Sequence, residues 1–160
     1  MNYEDELLQA GIRVTAVRLL VWRTLRELHP HPDADAAQRG AAFSLADVQD
    51  TLYTVDKSTL FRTLTLFAEQ GLLHTIDDGS GMQKYCVCHC TQHEECCEHE
   101  HQHGVVRHRS HVHLSCVKCH KTWCLEDVEI PHVPVPDDFE VTEREYIIKG
   151  ICKNCRNGWR

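Results

Sequence analysis

Apolar residues in the first half of the chain recur at helical spacing. Between residues 15 and 28, Val17, Leu20, Val21, Thr24, Leu25 and Leu28 fall at three- and four-residue steps, which gives a helix one apolar face. Thr15 offers an oxygen to the first free amides, and His29-Pro30 stops the helix. Residues 29–40 are rich in Pro, Asp and Ala, lack any apolar period and read as a loop. Ser44-Leu45-Ala46-Asp47 has the form of a capping arrangement, opening a short helix through Leu45, Val48 and Leu52. A third helix follows Asp56, buries Leu60, Leu64 and Phe67, and ends at Gly71. Beyond Gly71 the period falls towards two. Residues 72–76, the turn Asp77-Asp78-Gly79-Ser80-Gly81 and residues 82–87 then predict a β-hairpin.

Helix, capped helix and hairpin in this order predict a winged helix-turn-helix, whose helix before the wing enters a DNA major groove. The plain alternative is a small helical domain closed by a hairpin. Lys57, Ser58, Thr59, Phe61 and Arg62 fall largely off the apolar stripe of the third helix and supply donors and an aromatic for phosphates and base edges. Arg13 and Arg18 could add backbone or minor-groove contacts. Charge tempers this reading. The formal net charge is -7, and residues 1–80 hold seven Lys+Arg against twelve Asp+Glu, so a strong non-specific nucleic-acid binder is excluded. A local arginine cluster or bound cations must offset the repulsion.

Composition changes the picture in the second half. The 160 residues include ten cysteines and thirteen histidines, with all ten cysteines and ten of the histidines between Cys86 and Cys155. At 42% hydrophobic and 26% charged, the chain has a globular composition. Its short apolar runs and acidic N-terminus predict neither a membrane span nor a secretory leader, so a cytoplasmic protein is expected. In that reducing compartment the cysteines point to metal rather than disulfides.

Cys116-x-x-Cys119 and Cys152-x-x-Cys155 form two knuckles that together make the sulfur set of a closed structural Zn²⁺ site. A pair of thioredoxin-like redox motifs is the alternative, but the βαβ context is lacking. The 32 residues between the knuckles leave room for a strand at 122–125, a Pro-rich loop at 130–136 and an alternating strand at 140–149. His111 and His113 stand at i and i+2 on the strand entering the first knuckle, so they share a face, and Cys86 and Cys88 repeat that spacing at the exit of the wing. His74 lies on the opposing hairpin arm. Thiolate and imidazole from the wing exit, with imidazole from the second domain, predict an interdomain metal site whose occupancy fixes the angle between domains. No nucleophile–base pair or open catalytic metal motif stands out, so no enzyme is expected.

The segments 11–18 (GIRVTAVR), 58–64 (STLFRTL), Gly71-Leu72-Leu73, His111-x-His113-Leu114-x-Cys116-x-x-Cys119 and Cys152-x-x-Cys155 together resemble the ferric uptake regulator family, over nearly the whole chain. The resemblance implies an α+β protein with a winged-helix DNA-binding domain at 1–85, a hinge and Cys/His-rich insertion at 86–110, and a small α/β zinc-containing dimerisation domain at 111–160. It implies a homodimeric, metal-dependent transcriptional repressor of metal-uptake genes that binds double-stranded, palindromic operator DNA. Arg13, Ser58, Thr59, Phe61 and Arg62 become its DNA contacts, and Cys116, Cys119, Cys152 and Cys155 its structural zinc ligands.

The ligand pattern lies closest to zinc uptake regulators. Cys86 stands where iron-sensing members place a glutamate, Cys88 where zinc-sensing members place a cysteine, and His74 where they supply a hinge histidine. The expected regulatory set is therefore His74, Cys88, His111 and His113, with Cys86 and Cys124 as reserve ligands. The second divalent metal is expected to be Zn²⁺, with Fe²⁺ as the alternative, since thiolate suits zinc and carboxylate suits iron. The family's other carboxylate-containing site is degraded, with Val112 between the histidines and Arg144 where a histidine is expected. A Cys/His-rich tract at 89–108 is extra to the family pattern. It leaves open a regulator responding to iron, haem or peroxide, or a metal-storage or chaperone module.

Overall fold

Short-range chemistry builds the N-terminal half of the computed structural model, which describes residues 2–29, 41–87, 112–125, 128, 133–141 and 144–158. The tract at 89–108, residues 30–40, and Cys88 and His111 lie outside the described residues. Helix α1 (Tyr3–Gln9), capped by Asn2, was not foreseen from periodicity, because in seven residues it buries only Leu7. Helix α2 (Ala16–Leu28) starts at Thr15, whose side chain accepts from the Arg18 amide at 3.3 Å. Its buried face is Val21, Trp22 and Leu25, while Leu20 and Leu28 are exposed. The expected stripe is thus rotated towards Trp22. That ring packs edge-on against Phe67 at 5.7 Å and donates its Nε1–H to Glu6 at 2.8 Å, so the largest apolar side chain sets the inner face.

Strand β1 (Phe43–Ser44) leads into α3 (Leu45–Thr51) through a reciprocal capping box between Ser44 and Asp47. The next helix, α4 (Lys57–Glu69), is capped by Asp56, whose Oδ1 accepts from the amides of Ser58 and Thr59 at 3.0 and 3.1 Å. It buries Leu60, Thr63, Leu64 and Phe67, then the chain turns out through Gly71 at φ 74°. Strands β2 (Leu73–Ile76) and β3 (Lys84–Val87) form the wing, in an antiparallel sheet of order β1-β3-β2.

The second half holds β4 (Val112–Cys116), β5 (Thr122–Leu125), β6 (Tyr146–Gly150) and the single-turn α5 (Lys153–Arg156). Its sheet has the order β5-β4-β6, with β4 antiparallel to β5 and parallel to β6. The strand expected over 140–149 begins only at Tyr146; Glu140, Val141, Arg144 and Glu145 are irregular. The result is an α+β chain, a winged helix followed by a small α/β unit. The two sheets are stitched together beside β1, where the Ala42 amide donates to the Thr122 carbonyl at 2.7 Å and Ala41 bridges Trp123. No helix among the described residues is long and apolar enough to cross a membrane.

The main core gathers Leu7, Ile12, Trp22, Leu25, Leu60, Leu64, Phe67 and Val87 from the winged-helix half. At its margin His29 is buried against Phe43, with ring centroids 4.8 Å apart, and burial pushes its pKa down to about 4. The unfolded chain protonates this imidazole near pH 6.5, so the folded state has its full stability above that pH and loses it as pH falls towards 4. At about pH 5 the loss is about 2 kcal/mol. His29→Gln is expected to remove that part of the acid sensitivity, read from denaturant midpoints of both proteins at neutral and acid pH. An identical decline in the variant excludes His29 as its source.

Candidate metal centres

The first centre is built by the two knuckles. Cys116 ends β4, Cys119 lies in the turn closed by His120 at φ 56°, and Cys152 caps α5, which carries Cys155. All four Sγ atoms lie within 4.8 Å of one another, and Cys119 and Cys152 are 3.9 Å apart. A tetrahedral Zn²⁺ with bonds of about 2.3 Å sets its sulfurs about 3.8 Å apart, so the four thiols match that ion. The backbone favours thiolate here. The Cys152 amide donates to Cys116 Sγ at 3.3 Å and, with the amides of Cys119 and Lys118, pushes the Cys116 thiol down to about 6. Cys155 is pushed up to about 12, chiefly by its neighbour Cys152, then by burial and by Cys119 and Cys116. Four thiolates repel one another until a cation is among them.

The second centre draws its donors from both sheets. His74 of β2 is directly across from Cys86 of β3, and His113 of β4 is directly across from Cys124 of β5. His74, Cys86 and Cys124 place their donor atoms within 4.8 Å of one another. His113 joins through its Nε2, 3.2 Å from the Nε2 of His74. Two imidazole corners of a zinc tetrahedron with bonds of about 2.05 Å stand about 3.3 Å apart, so this spacing also fits a shared ion. Without one, the two rings can share a proton. Cys86 and Cys124 are buried with Ile76, and Ala42 packs against them. The Cys86 side chain and burial push the Cys124 thiol far up, while His113 opposes this. Among the described residues the cluster offers two thiols and two imidazoles, donors that suit Zn²⁺ better than they suit harder divalent ions.

Of the regulatory residues expected from sequence, the structure brings His74 and His113 together, whereas Cys88 and His111 lie outside the described residues. The two reserve ligands, Cys86 and Cys124, both sit within the cluster. Cys86 is the residue that the strand register places opposite His74.

On α4, Ser58, Phe61 and Arg62 are exposed and Thr59 is half-buried, and Arg62 Nε donates back to the Ser58 carbonyl at 3.3 Å. Arg13 is exposed, and its carbonyl accepts from Arg18 Nη1 at 2.8 Å. The α4 residues thus leave a hydroxyl, an aromatic ring and a guanidinium exposed on that helix. Sequence reading passed over Asp78 and Lys84, since a turn aspartate and a hairpin lysine are ordinarily solvated; both are buried between the sheets.

Comparison with known proteins agrees with this architecture. The profile of the ferric uptake regulator family matches residues 9–103. The chain is 23% identical over 158 residues to the peroxide-responsive repressor PerR of Staphylococcus aureus, covering 94% of this chain and 87% of the repressor. Among solved structures it is similar to the ferric uptake regulator of Francisella tularensis with iron, at 17% identity and a TM-score of 0.58, covering 91% and 96% of the two chains. It is also similar to a zinc uptake regulator complexed with zinc and DNA, at 19% identity and a TM-score of 0.53, covering 96% and 90%.

Proposed function

Because the chain belongs to the ferric uptake regulator family of metal-responsive transcriptional regulators, we propose that it is a zinc-responsive repressor of metal-uptake genes. The observation that carries this reading is the donor set drawn from both sheets: two imidazoles and two thiols, paired strand by strand, with no carboxylate among the described residues of the cluster. Zinc bound there supplies a cross-link between the wing strands and the second sheet. His74 and Cys86 fix the wing side of that link, and His113 and Cys124 the other. The knuckle cysteines hold a separate, structural zinc. The protein works as a homodimer on double-stranded DNA, with α4 of each protomer in one half-site of a palindromic operator. Ser58, Thr59, Phe61 and Arg62 read the groove, and Arg13 reaches towards the adjacent backbone or minor groove. The fold of a zinc uptake regulator solved with zinc and DNA supports this placement. The domain limits 1–85, 86–110 and 111–160 belong to the same proposal.

The deciding experiment is operator binding by purified protein, with and without a chelator that strips the hinge site but spares the knuckles. Specific binding is expected to require zinc and to be restored by zinc before Fe²⁺ or Mn²⁺. A footprint that is indifferent to metal, or restored by iron alone, overturns the reading. Arg62→Ala is expected to weaken operator binding by about 1–3 kcal/mol, the range for an arginine contacting a base, without changing its zinc dependence. Titration of the operator with both proteins measures this, and undiminished affinity removes Arg62 from the interface.

A further inference from the structure

The turn of the wing buries an ion pair that neither half of the chain satisfies alone. Asp78 and Lys84 are 4% exposed each, and Lys84 Nζ donates to Asp78 Oδ2. The remaining partners come from the second sheet. Lys84 Nζ also donates to the His120 carbonyl and, at 3.1 Å, to Thr122 Oγ1. Asp78 Oδ2 accepts from Thr122 Oγ1 at 2.6 Å and from Ser115 Oγ at 3.2 Å. The His120 carbonyl is aimed at Lys84 by the left-handed turn that closes the first knuckle. Beside the pair, Gly79 at φ 74° meets the end of the Lys149 side chain, whose Nζ would lie 2.9 Å from a Cβ placed there. Burial alone raises the Asp78 pKa, but hydrogen bonds from Lys84, Ser80 and Thr122 more than offset it and hold the carboxylate ionised.

The register ties this network to the proposed metal site. Ile76 and Lys84 form the rung next but one to His74 and Cys86 in the wing. Ser115 and Thr122 form the rung next but one to His113 and Cys124 in the second sheet. Residues two apart on a strand share a face and stand about 7 Å apart. The strands that present the four metal donors therefore present, one layer along, Lys84 on one side and Ser115 and Thr122 on the other, and Asp78 reaches all three from the turn. A buried ion pair adds little net stability, but separating it from its shell leaves buried charges without partners, which is strongly destabilising. Such a contact tolerates one relative orientation of its two sides.

We propose that Asp78 and Lys84 are positioning residues that hold the wing against the second sheet in the absence of hinge metal, so that His74, Cys86, His113 and Cys124 are already gathered when zinc arrives. This rests on the zinc reading of the hinge. It makes the ion pair a determinant of the zinc concentration at which the regulator responds, since a ligand set that must first be assembled binds more weakly by the fraction of time it is assembled.

The test uses the full-length protein with its knuckle zinc in place. Lys84→Met and the double variant Asp78→Leu with Lys84→Met are compared with the unaltered chain; the double variant leaves no unpaired charge, which guards against simple unfolding. Zinc affinity of the hinge is measured by chelator competition, and amide exchange by mass spectrometry on hinge-metal-free protein. The expected result is a 10- to 100-fold loss of hinge affinity, the range for outer partners of metal ligands. Faster exchange of the Ala42 amide, which bonds across the seam, is expected with unchanged protection in α4 and retained knuckle zinc. Hinge affinity within twofold of the unaltered protein, with unchanged Ala42 exchange, overturns the proposal. If the unaltered protein binds no second zinc, the hinge reading itself fails. The exchange comparison then still decides whether the pair holds the seam.

Discussion

Replacing Cys86 or Cys124 with serine is expected to abolish zinc-dependent operator binding while leaving one tightly held zinc per chain. Both thiols are buried between the sheets, within 4.8 Å of each other and of the His74 nitrogen. A serine hydroxyl in either place is a poor ligand for a borderline-soft ion, so the loss of affinity should exceed the roughly 10- to 100-fold that outer partners of a ligand contribute. The unaltered regulator is expected to bind its operator about 5- to 150-fold more tightly with zinc than without, the usual span of allosteric coupling, and in the variants that ratio falls to about one. Metal analysis and operator titration on the same samples read both effects. His74→Ala should behave in the same way, since His74 contributes from the strand facing Cys86. If Cys88→Ser and His111→Ala destroy the response while Cys86→Ser and Cys124→Ser preserve it, the ligand set is the one that the family resemblance implies, and the facing-strand cluster is not the sensor.

That contrast shows which parts of the site were legible in the sequence. The knuckles were, because a C-x-x-C pair encodes its own geometry: two thiolates on one turn need only a second turn to complete a tetrahedron. Helices α2 and α4 were equally clear, since Thr15 and Asp56 cap them and leucines mark their inner faces. Leu20 and Leu28 were misassigned for a local reason, as Trp22 outcompetes them for the core once Phe67 lies opposite. The hinge was only half legible. Spacing predicts that Cys86 and Cys88 share a face of one strand, but it does not say which of them opposes His74, because register is a pairing between strands. Cys124 is further removed, since it reaches the cluster only through the pairing of β5 with His113 on β4. Asp78 and Lys84 gave no sequence signal at all. Their burial comes from contacts between the turn of the wing and residues of β4, β5 and the knuckle turn, a tertiary fact that neither hydrophobic period nor motif records.

Cys116→Ser is expected to have the larger structural effect and to cost both metals, an asymmetry that separates the two centres. The second sheet has few apolar means of holding itself together. Of its strands, β6 is exposed along most of its length, with Ile148 at 57%, and the buried apolar side chains of β4 and β5 are Val112, Cys116 and Cys124. Zinc on four cysteines supplies about 10–16 kcal/mol of folding free energy in small metal-dependent units, which equals or exceeds the net stability of about 5–15 kcal/mol of an ordinary domain. Losing it should unfold the second sheet rather than loosen it. Because β4 and β5 carry His113 and Cys124, the hinge donors disperse with the sheet, and both zinc ions are lost. The winged-helix core is expected to persist, since Trp22, Leu60, Leu64 and Phe67 pack among themselves. Metal content, circular dichroism and sedimentation of the variant should therefore show no bound zinc, retained helix, lost strand signal and no dimer. The hinge variants, in contrast, keep one zinc and the fold. A Cys116→Ser protein that keeps its second sheet and hinge zinc, or hinge and knuckle variants that lose metal in equal measure, would show that the two centres do not divide structure from sensing in this way.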